Sequence, residues 1–256
     1  MNYPQKILGI IPARFASSRF PGKPLADIAG KSMIHRVYRQ AMKANLLSNV
    51  VIATDDERIF SHVMAFGGNV VMTSQRHFTG TERCAEVIRM KAFSSNDVII
   101  NIQGDEPLID PDQINLLASL FINANPEIAT LVRPLTNGDD LQNQGIVKVA
   151  IGKNQQALYF SRSPIPFVRA HPFEEWTQNH QFFQHIGIYG YNREALLKIS
   201  RLDATPNEKA ESLEQLRWLD NGIPILTALS DHLSYSIDTP DDLQRILQII
   251  NPKSEI

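Results

Sequence analysis

The sequence contains a single cysteine, Cys84, so no disulfide can close within the chain, and a lone thiol fits a reducing compartment. No apolar run approaches the ~20 residues needed to cross a bilayer. The polar start through Lys6 and the short run Ile7–Pro12 lack the apolar h-region of a secretory signal. Neither charge sign dominates: 25 Lys and Arg against 27 Asp and Glu leave a net charge of -2 at pH 7. That balance excludes a polycation built for nucleic acid, an acidic tail, and disorder driven by self-repulsion. Low-complexity stretches, linkers and internal repeats are also missing. So are Gly-x-x-x-x-Gly-Lys-Ser/Thr and any Gly-x-Gly-x-x-Gly after a strand, which weakens P-loop and NAD-type readings. The expectation is one soluble, cytoplasmic domain spanning 1–256, with neither membrane nor nucleic acid as partner.

What the chain does have is core. Hydrophobic residues make up 43% of its 256 positions, and a chain of this size buries roughly 70–75% of its unfolded surface. In the first half, short Val/Ile-rich runs alternate with helical patterns. Ile7–Ile11, Val50–Ala53, Val70–Met72 and Val98–Ile102 read as strands. Met33, Ile34, Val37, Tyr38, Ala41 and Met42 share one helical face; Ile59–Phe66, Cys84–Phe93 and Ile114–Ile122 read as further helices. Strands buried on both faces and separated by helices indicate a doubly wound α/β sheet, mostly parallel.

The second half is more mixed. Ile128–Val132, Ile146–Ile151, Gln184–Tyr191, Ile223–Leu229 and Tyr235–Ile237 read as strands, with Ile146–Ile151 and Gln184–Tyr191 antiparallel in this reading. One helix is expected through Ala210, Leu213, Leu216 and Leu219, closed by Gly222, and another from Pro240. Ser163–Asn179, with three prolines, reads as an irregular excursion.

Ligands of open α/β sheets bind beyond the carboxyl ends of the strands. The first such end leads into Pro12–Pro24, which carries Arg14, Arg19 and Lys23. From Arg14 to Lys43 there are seven cations and one acid, Asp27. A solvated loop is the plain reading; its position favours a site for bunched negative charge, such as a triphosphate. After Val98–Ile102 comes Gln103-Gly104-Asp105-Glu106-Pro107. Asp105 stands either in an ordinary turn or where a nucleotide's Mg²⁺ is held. Asp110 and Pro111 fit the N-cap and first position of a helix. Thr239, Pro240, Asp241 and Asp242 likewise fit a helix start, which leaves Asp238 as a second acid at a strand end. A basic loop with two such acids suggests metal-assisted phosphoryl or nucleotidyl transfer.

IPARFASSRFPGKPL, ATDD, TGTER, NIQGDEP, YFSRSPIP, HIGIYGY, LEQLR and SIDTPDDL follow one another in this order. From about Ile10 to the final helix the chain thereby resembles the 3-deoxy-manno-octulosonate (KDO) cytidylyltransferases, the CMP-KDO synthetases. The resemblance implies a Rossmann-like nucleotidyltransferase fold, a homodimer, Mg²⁺, and transfer of CMP from CTP to KDO for lipopolysaccharide assembly. It implies a nucleotide-binding part at about 1–130 and a sugar-binding and dimerisation part at about 131–230. By motif position, Arg14, Arg19 and Lys23 match triphosphate-binding cations, and Asp105 and Asp238 a metal-binding pair. Gln103 matches a residue near nucleotide and sugar; Thr79, Gly80 and Arg83 match a nucleotide-binding segment. Arg162, His185, Tyr189, Glu214 and Gln215 match the surroundings of the acidic sugar. Structure alone explains some of these residues: Thr79 and Glu82 form a capping box, and His185 and Tyr189 alternate onto one strand face that core packing would also produce. Cys84 reads as a buried small hydrophobe.

Rival readings are a cytidylyltransferase for an amino-substituted KDO or for sialic acid, a glycosyltransferase, and a nucleotide-binding regulator. HIGIYGY and LEQLR favour KDO over sialic acid, and the single Asp-x-Asp, Asp110-Pro111-Asp112, reads as a helix start, which leaves a glycosyltransferase without its paired-acid metal site.

Overall fold

The computed structural model describes residues 5–16, 20–233 and 235–250. The chain gathers into two compact units, one formed by residues up to Ser119 together with those from Leu233 onward, the other by Leu120–His232. In chain order the first unit contains β1 (Ile7–Ala13), β2 (Asp27–Ile28), β3 (Lys31–Ser32), α1 (Met33–Ala41), β4 (Asn49–Thr54), α2 (Glu57–Ala65), β5 (Val70–Met72), α3 (Gly80–Arg89), β6 (Val98–Asn101) and α4 (Pro111–Asn123), plus a C-terminal helix, Pro240–Ile250.

Its sheet runs β6-β1-β4-β5 with every pair parallel; Gly9 on β1 sits opposite Val50 on one side and Ile100 on the other. Parallel strands need both faces covered, and β1, β4 and β6 are buried almost throughout. α1 covers the sheet with Met33, Ile34, Val37, Tyr38 and Ala41, and Ser32 caps its N-terminus by accepting from the His35 N–H. Met42, expected on that face, is exposed because the helix ends at Ala41. α3 buries Cys84, Ala85, Val87 and Ile88. The Asp110 carboxylate accepts from the Asp112 N–H at 2.9 Å, the helix start read from sequence. β2 and β3 form a short hairpin that the sequence pattern did not reveal.

The second unit contains β7 (Ile128–Leu135), α5 (Gly138–Gln142), β8 (Lys148–Ile151), β9 (Ala157–Ser161), α6 (Trp176–Asn179), β10 (Phe182–Asn192), α7 (Arg193–Ile199), α8 (Pro206–Glu211), α9 (Gln215–Asp220) and β11 (Ile225–Leu229). β11 is parallel to β7; β7–β10, β10–β8 and β8–β9 are antiparallel. The irregular stretch before β10 packs Phe167 and Phe173 on Trp176, which is itself buried.

Two expected elements differ. The helix expected through residues 210–219 is two helices, because Ser212 takes a left-handed φ of 53° and breaks the ladder between α8 and α9. Gly222 closes α9 as expected, with a φ of 73° and its N–H on the Leu219 carbonyl. Tyr235–Ile237 is not a strand; the Ile237 N–H instead donates to the Asp105 carbonyl at 3.0 Å. β9 also went unforeseen. No helix among the described residues is long and apolar enough to cross a membrane.

Candidate active site

At the carboxyl end of the first unit's sheet lies an open cleft of about 510 Å³, lined by Arg14, Lys23, Thr79, Gly80, Gln103, Asp105 and Asp238 among others. Close backbone packing builds its floor. A side chain on Gly104 would place its Cβ 2.8 Å from the Pro12 carbonyl oxygen, so the turn after β6 reaches the end of β1 only with glycine there. The basic loop closes on itself: the Gly22 N–H donates to the Phe15 carbonyl at 3.0 Å. Gly22 has a φ of 74°, and a Cβ on it would meet the Phe15 ring at 3.0 Å. The Arg58 guanidinium lies over that ring, 3.3 Å from its centroid, and is itself gripped by both oxygens of Asp56. Arg58 in turn holds the Asp56 carboxyl below the usual carboxylate range. Arg14 donates from Nη1 to the Phe78 carbonyl at 3.3 Å. Arg19, expected as the second phosphate cation, lies outside the described residues.

Lys23, Asp105 and Asp238 meet. The Lys23 Nζ donates to Asp105 Oδ2 at 2.8 Å, to Asp238 Oδ1 at 3.3 Å and to the Ile237 carbonyl at 2.7 Å. The Ile237–Asp105 backbone bond stitches the two acid-bearing segments together from below. Asp238 is held by the start of the C-terminal helix. Asp242 Oδ2 accepts from the N–H groups of Asp238 and Thr239, and the Thr239 hydroxyl accepts from the Asp242 N–H at 3.3 Å. This is a capping box with aspartate in the glutamate's place. Burial pushes the Asp242 carboxyl up, but the Thr239 hydroxyl, which donates to Oδ2 at 2.8 Å, and the two N–H groups outweigh it and hold it below its ordinary value. Asp105 and Asp238 offer only oxygen and already converge on one cation, so their chemistry fits a hard divalent ion such as Mg²⁺.

The N-terminus of α3 borders the same cleft through Thr79 and Gly80, with the Thr79–Glu82 capping box formed. A helix start offers N–H groups and partial positive charge to an anion. Arg83, matched to nucleotide binding from sequence, lines the cleft but spends its fork inward. It is 2% exposed, bonds Asp55 at 2.7 Å, and donates to Thr73 and to the Ser74 carbonyl. It ties the ends of β4 and β5 together.

His77 was not singled out from sequence, yet it lines the cleft and is clasped by Glu86, one α3 turn beyond Glu82. Burial pushes the Glu86 carboxyl up, but the Ser74 N–H and His77 hold it below its ordinary range. Only the fold brings these partners together, nine residues apart in the chain.

The remaining matched residues lie in the second unit. His185 and Tyr189 of β10 share a face, their ring centroids 5.2 Å apart, with the strand irregular between Ile186 and Tyr189. His185 also meets the Phe160 ring and bonds Thr130 Oγ1 at 3.0 Å. Burial pushes its pKa down to about 3, so it stays neutral. Burial raises Tyr189 well above its ordinary value, helped by Tyr191 and Glu214, which places Glu214 close by. Gln215 is buried at the first turn of α9.

Arg162 follows β9 and is braced by backbone. Its Nε donates to the Glu211 carbonyl and its Nη1 to the Gln144 carbonyl, each at 2.9 Å. The Glu211 carboxylate accepts from Ser161 Oγ and the Arg162 N–H. Lys148, fully buried beside them, donates to the Asn143 and Ile146 carbonyls. Burial and then Arg162 lower its pKa, against the opposing pull of Glu211. Lys148 and Glu211 were missed because a strand lysine and a helix-end glutamate look like ordinary surface residues in sequence.

The cytidylyltransferase family pattern matches residues 8–226. The 3-deoxy-manno-octulosonate cytidylyltransferase of Parabacteroides distasonis is 49% identical over 249 residues, covering 96% of this chain and 98% of that protein. That of Bacteroides thetaiotaomicron is 49% identical over 252 residues, covering 97% and 100%. Among solved structures, a CMP:2-keto-3-deoxy-manno-octonic acid synthetase complexed with CTP superposes with a TM-score of 0.88 at 38% identity, over 97% of this chain and 100% of that one. A cytidylyltransferase from Leptospira borgpetersenii, at 16% identity and a TM-score of 0.63, shares the fold.

Proposed function

The chain belongs to the cytidylyltransferase family, and from that premise we propose that it transfers CMP from CTP to the 2-hydroxyl of 3-deoxy-manno-octulosonate. One observation carries the chemistry: Asp105 and Asp238, from distant segments, converge on a single cation in a cleft that also holds Arg14, Gln103 and the α3 N-terminus.

In this reading the sugar's 2-hydroxyl oxygen attacks the α-phosphorus of CTP in line. The bond to the bridging oxygen breaks, pyrophosphate leaves with that electron pair, and the hydroxyl proton passes to solvent. Arg14, Arg19 and Lys23 offset charge on the triphosphate and the departing pyrophosphate, while Thr79 and Gly80 present the helix start. Asp105 and Asp238 hold Mg²⁺, which when bound supplies charge neutralisation at the α-phosphate. Gln103 borders nucleotide and sugar. Positioning and fixed charge carry most of the rate.

For the sugar acid we assign the second-unit residues. Arg162 keeps Nη2 for the carboxylate after its backbone bonds are made, and those bonds fix the plane of its fork. Neutral His185, Tyr189, Glu214 and Gln215 meet the hydroxyls. The proposal extends to a cytoplasmic homodimer feeding lipopolysaccharide assembly: CTP is a cytoplasmic metabolite, and the lone thiol suits that compartment. Analytical ultracentrifugation of the purified chain tests the dimer.

The test of function offers each nucleoside triphosphate with KDO, its 8-amino analogue and sialic acid in the presence of Mg²⁺, and follows pyrophosphate. Release confined to CTP with KDO is the expected result. Release with another base, or with sialic acid in preference to KDO, overturns the assignment.

A further inference from the structure

Lys23 commits its whole donor set within the cleft. An ammonium has three protons, and three acceptors surround this one: Ile237 O at 2.7 Å, Asp105 Oδ2 at 2.8 Å and Asp238 Oδ1 at 3.3 Å. Its side chain is 13% exposed, against 27% and 40% for the two aspartates, so the cation sits inside and the carboxylates open onto the cleft. A lysine standing ready for phosphate would aim its charge at the space the phosphate fills. This one turns inward and occupies the point on which both carboxylates converge. A divalent ion bridging the same oxygens would repel the ammonium strongly, and the two cannot share the seat.

We propose that Lys23 holds the cation seat between Asp105 and Asp238 in the nucleotide-free protein and yields it to a divalent ion only when a triphosphate offers the ammonium new oxygens. The inference rests on reading Asp105 and Asp238 as metal ligands. Without nucleotide, an arriving ion must evict Lys23 and leave its ammonium without acceptors of comparable charge. With a triphosphate present, Lys23 exchanges carboxylate oxygens for phosphate oxygens, and the vacated pair accepts the ion. Nucleotide and metal then load together, each raising the other's affinity by the same factor. The device also keeps two close carboxylates from repelling each other in the resting protein.

Mn²⁺ titration of the nucleotide-free full-length protein, followed by electron paramagnetic resonance, tests this without reference to turnover. Lys23→Met and Lys23→Gln should each bind Mn²⁺ about tenfold or more tightly than the natural chain, within the usual range of coupling between sites. Arg14→Met removes a charge from the same cleft while leaving the carboxylates and their ammonium in place, and should change Mn²⁺ affinity by no more than about twofold, since the seat stays filled. Equal affinities in the natural protein and both Lys23 variants overturn the proposal. Equal tightening by Arg14→Met overturns it too, because the effect would then belong to the general field of the cleft. Adding Asp105→Asn and Asp238→Asn to Lys23→Met should abolish the gain. Mn²⁺ binding that survives their removal refutes the ligand reading itself, and the proposal with it.

Discussion

A methyl group at position 104 would stand 2.8 Å from the carbonyl oxygen of Pro12. Gly104→Ala must therefore push the Asp105 turn away from β1, at a cost of about 1–3 kcal/mol typical of overpacking, read as a lower urea midpoint together with lower turnover. Asp105→Ala and Asp238→Ala act on chemistry instead: turnover falls by about 10²–10³ in a pyrophosphate assay, the usual cost of removing one charge stabiliser, while the fold persists. His185 makes a pH prediction. Its folded pKa of about 3 lies below the ordinary 6.5, so above about pH 6.5 its contribution is fully present. Between 6.5 and 3 the unfolded chain takes up a proton that the folded chain refuses. Stability then falls as pH falls, by at most about 1.4 kcal/mol per pH unit. Urea midpoints between pH 4 and 7 should show a shallower slope in His185→Gln. Sequence singled out Asp105 and Lys23 because motif order and strand ends are local features, and Asp238 through motif order, since the strand read before it does not form. It suggested nucleotide contact for Arg83, whose guanidinium the fold spends on Asp55, and it passed over His77 and Lys148, whose partners only folding supplies.

The helix starts at the cleft are rigid brackets for functional groups. The capping box of the C-terminal helix fixes Asp238 through the Asp242 carboxylate. Asp242→Ala should cost about 1 kcal/mol, an ordinary cap loss. It should also raise the metal concentration needed for half-maximal turnover, which a purely structural lesion elsewhere would not do. The helix start was legible as Thr-Pro-Asp-Asp, though the box that Asp242 closes was not, and β1, β4, β5 and β6 were legible as Val/Ile runs of strand length. Less was legible where tertiary context overrides pattern. Leucine spacing through residues 210–219 is continuous, but Ser212 adopts a conformation that no periodicity reports. Tyr235–Ile237 has a strand's composition, yet its backbone bond goes to a turn, Asp105, and not to a ladder. β9 mixes Ala, Leu, Tyr, Phe and Ser in place of a Val/Ile run, and so escaped the pattern.

At the scale of the molecule, the residues proposed for the nucleotide fall in the unit formed by the chain's two ends, and most of those proposed for the sugar in the unit formed by the segment between them. The resemblance put the end of the first part near residue 130 and of the second near 230; contacts place the divisions after Ser119 and His232. Hydrogen exchange should follow this division. CTP with Mg²⁺ should slow exchange at Pro12–Ala16, Gln103–Glu106 and Ile237–Asp242, and KDO at His185–Tyr189 and Arg162. Protection by CTP confined to the second unit would reverse the assignment. The chain's only thiol, Cys84, is sealed on the buried face of α3 with no exposed surface, which leaves the exterior without a reactive sulfur. A maleimide dye will therefore attach wherever a new cysteine is placed and nowhere else. Position 78, whose phenylalanine is 82% exposed while its carbonyl receives Arg14, would carry a fluorophore at the cleft mouth and turn nucleotide arrival into a change of light.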